Sequence, residues 1–223
     1  MNKFFSIPLI ALAFASCAQT EDVRPAMGTV SVVLSKQAES PELVTRTVDD
    51  DLQVDLLDAE GSVLYHYAEG EATAGLNGLT LEAGTYTLHA YTANYDAEYS
   101  SAERGAAKYY GETTFQVLPG RHIRVGMQVP MTNFAVTFTL PDDITSRFTD
   151  IRFTLTRGDR SLELSPGETA YFELDPAADL EYTLEMTNAD GEVRSQEKYL
   201  KAADQRAGTH YTITYEMGRL GLR

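Results

Sequence analysis

The sequence predicts an all-β chain, two tandem antiparallel β-sandwich domains of Greek-key type behind an export signal. Three observations predict it. Apolar residues recur at every second position from Gly28 onward, clusters of Gly, Asp, Asn and Pro separate the runs, and the order of landmarks is repeated along the chain.

The alternating runs are Val30, Val32 and Leu34; Leu52, Val54 and Leu56; Tyr86, Leu88 and Ala90; and Ile123, Val125, Met127 and Val129. Each reads as a half-buried strand with one face on a core. Between them, Asp58-Ala59-Glu60-Gly61, Leu76-Asn77-Gly78, Pro119-Gly120 and Asp190-Gly191 supply turn conformations. No long amphipathic helix is visible, and the best helical candidates are Asp96 to Arg104 and Ala202 to Arg206.

The repeat sets the domain division. Asp51 to Leu56 aligns with Asp150 to Leu155, and Gly61-Ser62-Val63 with Arg160-Ser161-Leu162, at an offset of 99. Tyr86-Thr87-Leu88 aligns with Tyr182-Thr183-Leu184, and the strand after Gly120 with the strand after Gly208. The opening strand at Val30 finds its counterpart in Phe134 to Leu140, and the first repeat carries extra residues that fall most easily in Tyr95 to Lys108. The predicted division is 1–16 signal peptide, 17–27 tether, 28–130 first sandwich and 131–223 second sandwich. One ten-stranded barrel or sandwich is the alternative. In Gly84-Thr85-Tyr86-Thr87-Leu88 a tyrosine corner is expected at Tyr86, with Tyr182 in the matching place; an ordinary buried strand Tyr is the other reading.

At the N-terminus, Lys3, an apolar run from Phe4 to Phe14 and the small pair Ala15-Ser16 lead into Cys17, the chain's one cysteine. The run is too short for a bilayer span and reads as an export signal. Ala15-Ser16-Cys17 resembles a bacterial lipobox, in which Cys17 is acylated and becomes the new N-terminus. Phe14 departs from the aliphatic residue usual there. Acyl chains would anchor the chain to the membrane, and Glu21-Asp22 resembles the surface-export tag of Bacteroides-like lipoproteins; a solvated polar tether between anchor and domain is the other reading. The predicted location is the outer membrane, facing the cell exterior.

Composition narrows the function. The chain has 18 Lys+Arg against 33 Asp+Glu, a formal charge of −15, and no basic block. Phosphate recognition needs clustered Lys and Arg, so no nucleic-acid partner is expected. With one Cys there is no intrachain disulfide and no Cys-based metal cluster. No phosphate loop, His-Glu-x-x-His or Gly-x-Ser-x-Gly pattern occurs, so no catalytic residue, metal ligand or cofactor is assigned. His66, His89, His122 and His210 are dispersed, and the last three alternate with the apolar face, as solvated strand residues do. Asp49-Asp50-Asp51 and Asp142-Asp143 lack the alternating spacing of a calcium loop.

The candidate contact surface is aromatic: Tyr91, Tyr95, Tyr99, Tyr109 and Tyr110 lie in and around the extra segment. Tyr offers a large contact area and a hydroxyl at low entropy cost, suited to a protein partner or a surface glycan. The other outcome is that these rings fold onto their own domain.

Gly28-Thr29-Val30-Ser31-Val32, Asp51 to Leu64, Leu81 to Tyr91 and Tyr109-Tyr110-Gly111 leading to Pro119-Gly120 together resemble the Bacteroides-type lipoprotein family of domain of unknown function 4493. More distantly the chain is similar to fimbrillins, pilus lipoproteins made of two transthyretin-like sandwiches, although it is shorter than they are. The resemblance implies a non-enzymatic surface protein acting in adhesion or as a fimbria-associated subunit. It also implies strand addition as the means of assembly, with proteolytic processing at Arg46 in Thr45-Arg46-Thr47. A glycan-binding accessory lipoprotein of a carbohydrate-uptake system is the alternative.

Overall fold

The computed structural model describes residues 25–39, 51–101, 103–216 and 219–222. The first repeat contains β1 (Met27–Gln37), β2 (Gln53–Leu57), β3 (Val63–Tyr67), α1 (Ala72–Leu76), β4 (Leu79–Glu82), β5 (Gly84–Tyr91), β6 (Tyr110–Val117) and β7 (His122–Pro130). The second contains β8 (Phe134–Thr139), α2 (Asp142–Thr145), β9 (Phe148–Arg157), β10 (Arg160–Leu164), β11 (Thr169–Phe172), β12 (Leu180–Asn188), β13 (Val193–Leu200), β14 (His210–Glu216) and β15 (Arg219–Leu222).

The two repeats have the same wiring. Strand order β3-β2-β5-β6 in the first becomes β10-β9-β12-β13 in the second, and β4-β1-β7 becomes β11-β8-β14, extended by β15. Each pair of sheets encloses one core. Val30, Leu52, Val54, Leu56, Leu88, Ala90 and Val129 fill the first, and Phe134, Phe138, Phe153, Leu155, Leu180 and Ile213 fill the second, all nearly or completely shielded from solvent. The expected alternation is borne out in β5, whose Tyr86, Leu88 and Ala90 point inward between half-exposed neighbours, and in β7, which buries Val125, Met127 and Val129.

Register shows how closely the repeats correspond. Leu56 lies opposite Leu88, whereas its counterpart Leu155 lies opposite Tyr182, two residues from the position that the sequence offsets would give. A two-residue slip keeps every side chain on its face, so the core pattern survives it; a one-residue slip would turn the strand inside out.

Pairing is antiparallel except where each repeat closes. There β1 runs parallel to β7, from Thr29 opposite His122 to Gln37 opposite Pro130, and β8 runs parallel to β14. The first and last strands of a repeat are far apart in sequence, so a connection through the other sheet brings them side by side in the same direction.

Helical expectations changed most. The described residues of Asp96 to Arg104 form no helix; turns close on either side, with Ala97 N–H to Asn94 C=O at 3.0 Å and Glu103 N–H to Ser100 C=O at 3.2 Å. Ala202–Asp204 forms one 3-10 turn. The helices α1 and α2 were not expected, because five and four residues are too few to show a 3.6-residue period. α1 buries Ala72 and Leu76, and Asp142 and Asp143 open the first turn of α2.

A tyrosine corner is present at Tyr86, whose hydroxyl donates to the Glu82 carbonyl at 3.0 Å. Tyr182 makes no such bond and is simply buried; in the second repeat Tyr211 takes that part, donating to the Asp204 carbonyl at 2.7 Å and accepting from the Arg206 N–H at 2.9 Å.

The second core is organised around Phe138 and Phe153, stacked with ring centroids 4.1 Å apart. Phe153→Ala is expected to lower stability by about 3–5 kcal/mol through lost burial and the cavity left behind. Urea denaturation checks it.

Candidate functional site

The extra segment of the first repeat leaves β5 after Tyr91 and returns to β6 at Tyr110. Its neck is closed by Thr92 N–H to Tyr109 C=O at 3.1 Å and by Tyr109 N–H to Thr92 Oγ1 at 3.2 Å. The rest of the segment reaches the second repeat. Tyr171 N–H donates to the Arg104 carbonyl at 2.7 Å, and Arg160 donates from Nη1 to the Tyr171 carbonyl at 2.7 Å and from Nη2 to the Glu103 carbonyl at 2.6 Å. Arg104 pairs with Glu168 and Lys108 with Glu173, both at 2.6 Å. Asn133, fully buried at the junction, accepts from Lys108 N–H at 3.0 Å and donates to the Ala106 carbonyl at 2.8 Å.

Tyr99 belongs to this clasp. Lys108 Nζ lies 5.2 Å and the Arg160 guanidinium 5.9 Å from its ring centroid, and Asn94 donates to its hydroxyl at 2.7 Å. Gly105 has φ +73°, and a Cβ there would stand 2.9 Å from the Tyr99 ring, so both backbone and space call for glycine. Burial pushes the Arg157 and Arg160 guanidinium groups below their ordinary pKa, with Glu173 opposing the effect on both. Beside the clasp lies an open cleft of about 630 Å³ lined by Tyr95, Asp96, Glu98, Tyr99, Arg157 and Asp175, among others.

The remaining candidate tyrosines divide. Tyr109 is 3% exposed and packs in the first core, so it is withdrawn from the contact surface: its backbone closes the neck and its ring fills the sandwich. Tyr95 stacks on Tyr110 at 4.8 Å, and both stay half-buried at the surface. Tyr91 donates to Asp55 Oδ2 at 2.9 Å, while the other oxygen of Asp55 lies 2.7 Å from His66 Nδ1. The structure thus brings Tyr91, Tyr95 and Tyr110 to one face of the β3-β2-β5-β6 sheet, with Tyr99 set apart in the clasp. Cys17 and Arg46 lie outside the described residues.

Asp55, His66, His89 and Glu112 were not grouped by the sequence. They form a row across all four strands, with Asp55 opposite both His66 and His89, and His89 opposite Glu112. His89 Nε2 is 3.6 Å from a Glu112 oxygen. Alternation alone placed Asp55 and His89 outward; what was missing was the register that sets them side by side. The other two histidines bond across the other sheets, His122 to Thr29 at 3.0 Å and His210 to Thr137 at 2.6 Å. Among the described residues no group of three or more His, Cys, Asp or Glu is placed to hold a metal ion. Among the same residues no helix is long and apolar enough to cross a membrane.

A pair of like-wired sandwiches joined by a side-chain clasp is the class that this geometry defines. The chain belongs to the family of domain of unknown function DUF4493, whose model matches residues 26–219. Among solved structures, a fimbrial assembly protein from Parabacteroides distasonis is similar at 12% identity, over 89% of this chain and 94% of that one, with a TM-score of 0.47. A candidate cell adhesion protein from Bacteroides ovatus is similar at 14% identity, over 90% and 95%, with a TM-score of 0.47. A candidate polysaccharide-binding protein from Bacteroides thetaiotaomicron is similar at 12% identity, over 83% and 90%, with a TM-score of 0.47. No curated protein matches the chain.

Two outcomes test the site. Arg160→Ala removes a charged donor from two carbonyls and is expected to destabilise the chain by about 1.5–3 kcal/mol, with faster proteolytic nicking between Thr92 and Lys108 as the readout. Tyr91 is pushed up to about 12 by burial and by its bond to Asp55. Its protonated form is the one stabilised by folding, so that contribution is whole below the unfolded value near 10 and is lost as pH rises through about 12. Tyr91→Phe is expected to make the fall in stability across that window shallower, as followed by denaturant titrations at several alkaline pH values.

Proposed function

We propose that the chain is a non-enzymatic outer-membrane lipoprotein, anchored through acylated Cys17 and facing the cell exterior. It acts in adhesion or as a fimbria-associated subunit, joining its partner by β-strand addition. The observation that carries this is the unequal pairing of β1. Strand β4 covers it only from Met27 to Val30, whereas β1 continues to Gln37 with β7 on its other side. Among the described residues no strand pairs with the open side beyond Val30. A groove of about 430 Å³ follows it, lined by Ser31, Val32, Val33, Leu34, Ala72 and Leu76, among others. A strand edge that no described strand covers, beside a groove whose lining includes Val32, Leu34, Ala72 and Leu76, is suited to accepting an extended strand.

Support for the anchor is the order of charge, apolar run, small residues and Cys17 at the N-terminus. A second reading, glycan binding, is favoured by one observation: the cleft beside the clasp sets Tyr95 and Tyr99 near the carboxylates of Asp96 and Glu98, a combination suited to stacking on a sugar ring and accepting from its hydroxyls.

Outer membranes run on an unboiled SDS gel and probed for this chain separate the two. A ladder of multimers that collapses on boiling is expected from strand addition, and Cys17→Ala should move the chain from the membrane to the soluble fraction. A single band at the monomer mass, with Tyr95→Ala and Tyr99→Ala each abolishing retention on a polysaccharide affinity gel, would replace strand addition by glycan binding.

A further inference from the structure

β3 (Val63–Tyr67) ends one side of its sheet, and among the described residues only β2 pairs with it. About half of its backbone N–H and C=O groups therefore point away from the sheet. Edge strands are normally guarded by Lys, Pro or inward-pointing charge. β3 reads Val63-Leu64-Tyr65-His66-Tyr67 and has no Lys, Pro or inward-pointing charge, its one protective feature being a bulge at Leu64. Val63, Leu64 and Tyr65 are 56%, 45% and 42% exposed. Its counterpart β10 is built the other way, with Arg160 and Glu163 along the strand and Leu162 and Leu164 buried at 4% and 3%. The same place in the same fold is thus guarded in one repeat and open and apolar in the other. An irregularity in the pairing with β2 falls at the Val63 end and leaves Tyr65, His66 and Tyr67 in regular register.

Charge says what fits there. No Lys or Arg occurs between Arg46 and Arg104, and β6 also has none, so the β3-β2-β5-β6 sheet carries no positively charged Lys or Arg. Exposed Glu60 precedes β3, and exposed Glu69 and Glu71 follow it. A second copy docking edge to edge in antiparallel fashion would bring Glu60 of one chain to Glu69 and Glu71 of the other, on molecules that each carry −15. Like charges facing each other across a strand pair are destabilising. A partner strand with basic ends meets the opposite situation.

We infer that β3 is an acceptor edge for an extended segment of another protein, with alternating apolar residues at its centre and Lys or Arg at both ends. The inference does not rest on the reading above: it concerns a different edge of a different sheet and needs neither the lipid nor a polymer. Backbone pairing would supply affinity, and the acidic turns would set the partner's charge pattern.

The test uses the full chain in detergent and a fluorescently labelled peptide, Lys-Lys-Val-Thr-Val-Thr-Val-Lys-Lys, read by anisotropy. Three losses of about tenfold or more in affinity are expected: on changing the flanking Lys to Glu, on N-methylating the whole central run, and on Leu64→Lys in the protein. Leu64 is exposed, so that variant should keep its circular dichroism spectrum. No binding of the Lys-flanked peptide overturns the inference. So does equal binding of the N-methylated peptide, which would reduce the effect to charge alone, or binding unchanged by Leu64→Lys, which would place the peptide elsewhere. A doubled mass in sedimentation that Leu64→Lys abolishes would make a second copy the occupant and overturn it as well.

Discussion

The facing pair Leu56 and Leu88, both almost wholly buried in register on neighbouring strands, fixes what the first repeat can show to solvent. Because successive side chains of a strand point to opposite faces, burying this pair forces Asp55 and His89 outward and directly opposite each other. His66 and Glu112 join the row by the same rule applied to β3 and β6. The result is a line of alternating acid and imidazole across four strands, the arrangement that cross-strand electrostatics favours over like charges side by side. Tyr91, two residues beyond His89 on the same face, then finds Asp55 within hydrogen-bond distance. The polar surface of this sheet is in that sense a consequence of its core.

A second constraint acts between the repeats. Two sandwiches on one chain need not touch, and interfaces within a chain are often small and polar. Here the Arg104 and Lys108 carbonyls of the extra segment accept backbone hydrogen bonds from Tyr171 and Thr132, the partly desolvated Arg160 guanidinium lies against its Glu103 carbonyl and Tyr99 ring, and its own buried Lys108 reaches the Ala97 carbonyl. Such groups are costly to bury unless their donors are satisfied. Carbonyls of both repeats meet most of those donors, which ties the clasp's stability to the two repeats staying together. The aromatic content of the segment is explained in part by that task, since Tyr99 serves the junction, Tyr109 serves the core, and Tyr95 and Tyr110 stack on each other near the surface.

Strand positions were legible because the period of two is strong in β1, β5 and β7, and the duplication was legible because Tyr86 and Tyr182, and Gly120 and Gly208, keep their order. The family resemblance rested on the same stretches, and the family match covers them. Other features carried no local signal. Parallel closure of β1 on β7 depends on a contact across about ninety positions, and α1 and α2 are too short to display a helical period. Asp96 to Arg104 has a helix-like mixture of Ala, Glu, Tyr and Arg, yet its described residues form no helix and its Arg104 carbonyl is taken by Tyr171. Tyr109 was indistinguishable from Tyr110 by residue type; only the turn of one residue into the core and the next to the surface separates them. The extra segment itself was located correctly, because an insertion relative to a repeat is visible by subtraction, but its attachment to Arg160 and Tyr171 requires the fold.

The duplication also serves as an internal control. Whatever the sandwich needs in order to fold should be present in both repeats, and the shared strand order and the aliphatic cores are. Features found in one repeat alone are not demanded by the fold. The second repeat has a strand, β15, beside β14 and a guarded edge at β10; the first has nothing at the place of β15 among its described residues, an overhanging β1, an apolar β3 and a sheet without Lys or Arg. An unguarded edge is a liability for any isolated β protein, because it invites pairing with the wrong chain. Both open edges fall in the repeat that follows directly on the N-terminal segment, while the second repeat carries the guards. Both edges proposed as acceptors thus lie in the first repeat, while the counterpart of β3 in the second, β10, gives its Arg160 to the clasp.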